Sequence, residues 1–335
     1  MRLLVIGDAH LKINILSEAR SFIDQLLIRI RTMEYDHVVL LGDQFDTFAV
    51  VRTEVLGLWT KFFQEASKHT KVIALVGNHD LAGAEGGSNP MEPFSSYKNV
   101  RVVSKPVLID GMWFVPFMRS NDDFAFTLAH IDEGSHVFCH QSFNGCQFEN
   151  GFYDPNGADV QCAEHLASVI SGHVHKQQTL GNIWYPGTPF QHTFNDADEV
   201  KFIYEISLSA EGYNVTDRII LEMPRFVVFE QETIPELLLQ VERLASPQAH
   251  FNYKFIARGT PSEIAQFWAD PKVKDFKSKA KRVVDALVSI KPDTVLTPVT
   301  GKTHQEKLHE YVQNRKWRTQ ESARLILLAE KYLTN

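Results

Sequence analysis

The sequence predicts a layered α/β protein with a smaller α/β unit appended to it. Three observations carry that reading. Short runs of almost wholly apolar residues recur, LLVI, HVVLL and KVIAL among them, as suits strands buried on both faces. Between them lie stretches with apolar residues every three or four positions, as helices covering a sheet require. From MPRF (223–226) the pattern starts again as strand, helix, strand, helix.

The elements follow in order. RLLVIG (2–7) is a buried strand. A helix is expected from about Ser17, which stands where a cap would, with Phe22, Leu26 and Ile30 recurring at spacings near four. HVVLLGD (37–43) is the second strand, EVLGLWTKFFQEASKH (54–69) an amphipathic helix and KVIALVG (71–77) the third strand. NVRVV (99–103), VLID (107–110) and MWFVPF (112–117) are shorter strands, and HVFCH (136–140) and ASVISGH (167–173) continue the series. GNIWYPGTP (181–189) and VKFIYEISL (200–208) are expected as hairpin strands closing the same sheet system. The appended unit runs through RFVVFEQ (225–231), PELLLQVERLA (235–245), NYKFIARG (252–259) and PSEIAQFWA (261–269). KDFKSKAKRVVDALVSI (274–290) is grouped with a tail that ends in amphipathic helix over 306–333. The expected divisions are 1–222, 223–270 and a helical region 271–335.

Composition excludes several classes. With 335 residues, 44% hydrophobic and 22% charged, the chain is an ordinary globular one. Cys139, Cys146 and Cys162 are too few for a disulfide scaffold, which points to a reducing compartment, the cytoplasm. The run at MRLLVIGDAH meets charge too soon for a signal peptide, and no run approaches membrane-spanning length. Net charge is -7, unevenly placed: from Lys254 onward 16 Lys+Arg face 9 Asp+Glu, which leaves the first 253 residues at -14. A carboxylate-rich region of that kind acts on a polyanion only with metal ions or basic patches to offset repulsion.

The chemistry is concentrated where strands end. Gly7-Asp8-Ala9-His10, Gly42-Asp43, Gly77-Asn78-His79-Asp80, Cys139-His140-Gln141 and Gly172-His173-Val174-His175 each follow an apolar run. In an α/β fold the carboxyl ends of strands line the ligand crevice, so these residues can converge. The donors, Asp8, His10, Asp43, Asn78, His140, His173 and His175, are carboxylate, imidazole and amide. That mixture suits manganese, iron or zinc rather than a thiolate site. Two ions about 3.5–4 Å apart can activate water and stabilise charge on a phosphoryl group, and Asp43 is the best candidate to bridge them. Taken singly, each residue has an ordinary alternative: a turn carboxylate, a packed imidazole or a turn amide.

GDAH, GDQFD, GNHD, CHQ and GHVH in this order resemble the metallophosphoesterase signature over about residues 1–210. The resemblance implies a four-layer α/β/β/α core, two sheets flanked by helices with two metals at one edge. GDAHLK, GDQFDT and GHVHKQQ with the later YPGTPFQHTFND are similar to the SbcD family, nuclease subunits of DNA double-strand break processing complexes. That likeness implies a small α/β cap, phage recombination endonuclease subunits being among the compact examples. It assigns Asp8, His10, Asp43 and His175 to one ion and Asp43, Asn78, His140 and His173 to the other. His79 would face the scissile phosphate, and Asp80 would orient it. Asp46 stands where archaeal and eukaryotic relatives carry a histidine and bacterial ones an aspartate.

The resemblance further implies two manganese ions, with magnesium, iron or zinc as substitutes. It implies double-stranded DNA ends as substrate, a coiled-coil ATPase as partner, a homodimer, and the cytoplasm of a host if the chain is phage-encoded. Lys272, Lys274, Lys277, Lys279, Lys281 and Arg282 form a basic run suited to phosphate contact or to a solvated helix face. Leu308, Tyr311, Trp317, Leu325, Leu328 and Tyr332 could cover a partner's helices. Trp59, Phe62 and Phe63 suit either a subunit interface or the interior. No GxxxxGK[ST] run is present, so any ATP-driven step belongs to a partner. The alternatives are a stand-alone phosphodiesterase or phosphatase with a small substrate, and a DNA-end scaffold with a decayed site.

Overall fold

The computed structural model describes residues 1–47, 50–81, 88–210, 212–244 and 246–289. In chain order its elements begin with β1 (Arg2–Ile6), α1 (Leu16–Thr32), β2 (His37–Leu40), α2 (Thr53–Ala66), β3 (Lys71–Leu75) and β4 (Val100–Val103). They continue through β5 (Val107–Ile109), β6 (Met112–Val115), α3 (Asn121–Ala129), β7 (His136–His140), β8 (Ser168–Gly172), β9 (Gln178–Leu180) and β10 (Ile183–Tyr185). β11 (Ile203–Ser209) and β12 (Gly212–Ile219) precede the last group: β13 (Phe226–Thr233), α4 (Ile234–Arg243), β14 (Asn252–Gly259), α5 (Pro261–Ala269), α6 (Pro271–Lys279) and β15 (Arg282–Ser289).

Two six-stranded sheets pack face to face. The first has the order β12-β11-β1-β2-β3-β4 and the second β5-β6-β7-β8-β10-β9. β1 to β4 are mutually parallel, as are β6, β7, β8 and β10, and the edge hairpins run antiparallel. Alternate residues of β1 serve opposite faces, as strand geometry dictates. Leu3 and Val5 join Phe114, Phe138, Ile170 and Trp184 between the sheets. Leu4 and Ile6 pack outward with Phe22 and Leu26 of α1 and Trp59, Phe62 and Phe63 of α2. On the far side Val137, Cys139 and Val169 meet Phe124 and Leu128 of α3. The result is the expected α/β/β/α layering. Trp59, Phe62 and Phe63 are fully buried in it, so they are interior residues.

Local details differ from expectation. Helix α1 begins one residue before Ser17, after a 3-10 turn over Ile13–Ile15, and no side chain caps it. The Ser17 hydroxyl donates to Glu18 instead. The strands expected as one hairpin lie in different sheets: β10 pairs with β8 and β9, β11 with β1 and β12. β9, β12 and α3 are not expected from the sequence pattern. α3 is short and opens Asn-Asp-Asp, yet Ser120 caps it by accepting the Asp123 N–H.

The appended unit is a parallel sheet, β13-β14-β15, covered by α4, α5 and α6 around Phe229, Leu237, Phe255, Phe267 and Phe276. Thr233 with Glu236 and Thr260 with Glu263 form capping boxes that start α4 and α5. Residues 274–290 were grouped with a helical tail, but the helix ends at Lys279 and β15 follows, paired with β14 from Asn252↔Arg282 to Gly259↔Ser289. The β-branched pair Val283-Val284 is the local reason, since such residues favour the pleated surface. The expected helices over 306–333, with Leu308, Tyr311, Trp317, Leu325, Leu328 and Tyr332, lie outside the described residues.

Near the start of β1, Glu205 of β11 is buried and accepts from Arg2 at 2.6 Å, from the Tyr35 hydroxyl at 2.5 Å and from Arg29 Nε at 3.1 Å. This ties α1 to two strands of the first sheet.

Candidate metal centre

The seven side chains expected to hold metal gather at the carboxyl ends of β1, β2, β3, β7 and β8. The first sheet supplies Asp8, His10, Asp43 and Asn78 from the loops after β1, β2 and β3. The second supplies His140 from the last position of β7, and His173 and His175 from the loop after β8.

Among the described residues their donor atoms fall into two clusters, and His79 makes a further such group with His10 and Asp43. Asp8, His10 and His175 each bring one within 4.8 Å of the others, as do Asp43, His140 and His173. His10 Nε2 is 3.0 Å from His175 Nε2. Asn78 Oδ1 is 3.0 Å from His140 Nε2 and 2.8 Å from His173 Nδ1. Asp43 Oδ2 stands between the clusters, 3.5 Å from His10 Nε2 and 3.3 Å from His140 Nε2. That is where a carboxylate shared by two cations belongs.

The backbone is bent to achieve this. Among the described residues, His10 (φ 40), Asp43 (φ 52) and His173 (φ 77) are three of the four non-glycine residues with positive φ. Such conformations cost of order 1–3 kcal/mol each and gather at functional sites. The glycines before the donors answer to crowding. A Cβ on Gly42, itself at φ +109, would lie 2.2 Å from His140 Nδ1, and one on Gly77 would lie 2.2 Å from Asp43 Oδ1.

Charge is badly balanced without a cation. Asp8 is 1% exposed, and among the described residues its Oδ1 has no hydrogen-bond partner, while Oδ2 accepts the His173 N–H at 2.7 Å. Burial pushes the Asp8 carboxyl up to about 8, with Asp43 adding to the rise and His140 opposing it. Burial also works to raise Asp43, but the imidazoles of His140, His10 and His79 outweigh it and hold that carboxyl low. His140 is raised to about 9 because Asp43 and Asp8 overcome its burial. Burial drives His10 well down and takes His173 to about 3, which keeps both neutral and able to donate a lone pair. An orphaned buried carboxylate oxygen beside neutral imidazoles and an amide oxygen fits a pair of divalent ions.

His79 and Asp80 occupy different roles. The His79 ring lies edge-on to His10 at 4.7 Å, and its Nδ1 donates to the carbonyl of Asp46 at 2.9 Å. The Asp80 carboxylate accepts the Gly77 N–H at 3.0 Å and the Phe45 N–H at 3.1 Å. These Asp80 contacts are with main-chain amides, and His79 Nδ1 meets a carbonyl. The main chain of Asp46 meets that nitrogen, and Asp80 ties together the two loops from which Asp43 and His79 project. Burial pushes Asp80 up to about 7, the nearby Asp43 charge assisting.

Other contributors escaped the sequence. The Leu41 carbonyl accepts His140 Nδ1–H at 2.7 Å and so turns Nε2 toward the cluster. Glu149 lies 3.6 Å from His175 Nδ1, and the Phe117 ring stacks on His173 at 5.8 Å. His192 donates from Nε2 to the Asp8 carbonyl at 3.2 Å. His192 lies in the YPGTPFQHTFND segment that carries part of the resemblance, whereas Glu149 has no local signal in the sequence.

Comparison with known proteins agrees with this geometry. Over 282 residues the chain is 26% identical to the provisionally named phosphoesterase 244L of Invertebrate iridescent virus 6, covering 79% of this chain and 96% of that protein. It is 25% identical over 309 residues to the similarly named 078R of Invertebrate iridescent virus 3, covering 88% and 86%. It is 26% identical over 229 residues to Exonuclease subunit 1 of Enterobacteria phage T4, covering 63% and 66%. Residues 1–177, more than half the chain and every donor of both clusters, match the family described as calcineurin-like phosphoesterase. Layered sheets, donors at one edge and that match lead to one statement: the chain belongs to the calcineurin-like phosphoesterase family.

Proposed function

We propose that this phosphoesterase is a DNA nuclease, the nuclease subunit of an ATPase–nuclease complex that processes DNA ends. The observation that carries the reading is the pair of donor clusters meeting at Asp43 with the His79 imidazole beside them. The likeness to the phage exonuclease subunit turns it toward DNA. Calcineurin-like phosphoesterases use divalent metals, and manganese fits the oxygen and imidazole donors here. Asp8, His10, Asp43 and His175 would hold one ion, and Asp43, Asn78, His140 and His173 the other. Such a pair supplies an activated water and charge stabilisation on the phosphoryl oxygens.

The chain's own groups do the rest. The Asp46 carbonyl accepts His79 Nδ1–H and orients the ring; as an imidazolium, with Nε2 also protonated, His79 would donate to a phosphoryl oxygen and protonate the departing one. A cleft whose lining includes Lys12, Lys281, Arg282 and Glu18 borders His192, and its three cations would suit a phosphate backbone. Of the basic run, Lys272 pairs with Glu242, Lys279 with Asp275 and Lys281 with Glu18, and Lys277 lies over Trp268. The Lys272 and Lys279 pairs are exposed and weak enough to exchange for phosphate, whereas the Glu18 side chain paired with Lys281 is largely buried. No helix of the described residues is long and apolar enough to cross a membrane. The homodimer, the coiled-coil ATPase partner and the cytoplasmic setting belong to the same proposal.

The test is degradation of linear duplex DNA in manganese, alone and with an ATPase co-purified from the native source. His79→Ala should lower the rate by about 10²–10⁴ while both ions still bind. Turnover of a small phosphodiester with no DNA cleavage in any divalent metal would replace this reading with a stand-alone phosphodiesterase. Inertness toward both, in a fully metallated protein, would leave a scaffold.

A further inference from the structure

Behind the donors lies a buried ion pair that the chemistry above does not use. The Lys201 ammonium, on a side chain 3% exposed, donates to the main-chain carbonyl of His175 at 2.8 Å and to Glu199 Oε2 at 2.6 Å. Asp196 Oδ1 lies 2.9 Å from the same nitrogen. The ammonium carries three protons, so it can serve the His175 carbonyl, Glu199 and Asp196 Oδ1 together. The other oxygen, Asp196 Oδ2, accepts the N–H groups of His192 at 3.0 Å and Thr193 at 2.9 Å.

From there the contacts run to the metal centre. The His192 ring donates to the Asp8 carbonyl and lies 5.7 Å from the ring of His10 and 6.0 Å from that of His175. The donors reached, Asp8, His10 and His175, make up one cluster; the His192 ring also packs on Phe190 at 4.6 Å. The other cluster has separate braces, the Leu41 carbonyl behind His140 and the Phe117 ring on His173. Burying a lysine and a carboxylate carries a desolvation cost that an apolar pair of similar volume avoids. The cost is offset if the pair fixes groups whose placement matters.

We propose that Lys201, acting with Asp196, is a positioning residue for one ion of the two. It holds the His175 main chain directly, and holds Asp8 and His10 through His192. The Asp43, Asn78, His140 and His173 cluster meets this network at second hand, through the His173 N–H that Asp8 accepts and through the shared Asp43. The proposal rests on the two-ion reading of the site and is independent of whether the substrate is DNA.

The test is manganese titration by calorimetry, with electron paramagnetic resonance on the loaded protein. Lys201→Met removes the donor to His175. Lys201→Met combined with Asp196→Asn removes the two buried charges and leaves only the Glu199 carboxylate, which is partly exposed, without its ammonium partner. Circular dichroism in chelator reports folding without metal. Both variants are expected to keep one manganese as tightly as the parent and to bind the other about 10–100-fold more weakly. At one equivalent per site the coupled-pair signal should give way to that of a single ion. Equal weakening at both ions, or none at either, overturns the proposal. A parent protein that takes up fewer than two ions overturns the two-ion reading and this inference with it.

Discussion

A β-carbon on Gly172 would fall 2.5 Å from the Leu41 carbonyl oxygen, 2.6 Å from Asp8 Oδ1 and 2.8 Å from His140 Nδ1. Gly172→Ala is therefore expected to displace donors of both clusters at once. Overpacking of this kind costs about 1–3 kcal/mol of stability, and manganese affinity should fall at both ions. Calorimetry would separate this from the one-sided loss expected at Lys201. Parent-like uptake by Gly172→Ala would show that the glycine is not needed for clearance. The donors themselves were legible because each stands after an apolar run, and their types are unusual together. Glu149, His192 and Lys201 were not, because their effect passes through hydrogen bonds between loops distant in sequence. Asp80 was read by adjacency to His79, whereas its partners are amides 3 and 35 positions away.

Among the elements, β11 and α1 are joined at Glu205. Burial works to raise this carboxyl, but hydrogen bonds from Tyr35, Arg2 and Arg29 prevail and hold it below its ordinary range. Glu205→Gln should destabilise the core by about 1–3 kcal/mol at neutral pH. The sign of the pH effect follows from the lowered value. The stabilisation is fully present above the unfolded carboxyl range, near about 4.3, and is lost as pH falls through the folded value. Denaturant melts of parent and variant should thus converge in acid, and a gap that widened there would refute the assignment. β1, β2, β3, α2 and the start of the appended unit were readable from apolar runs and helical spacing. β9, with three residues, offers too little pattern to read, and the exposed edge strand β12 is mostly polar. Residues 282–289 follow a lysine-rich helix closely enough to be taken for its continuation.

Over the whole molecule, the two sheets contribute to each cluster: Asp8 and His10 meet His175 across the interface, and Asp43 meets His140 and His173. Ions that bind only this folded arrangement stabilise it by mass action, about 2.7 kcal/mol at a hundred times the dissociation constant. Chelation should lower the calorimetric midpoint by roughly 5–10 °C, and manganese should restore it. An unchanged midpoint would mean the clusters hold no structural cation. That two sheets face one another came from the family resemblance; periodicity alone indicated buried strands without saying how many layers they formed. Because neither half owns a complete set of donors, the centre works as a clasp closed across a seam. A slip of one half against the other, caused by a poorly fitting side chain far from any ligand, would open both cation sites together. Interior repacking and loss of hydrolysis are then a single event seen from two ends.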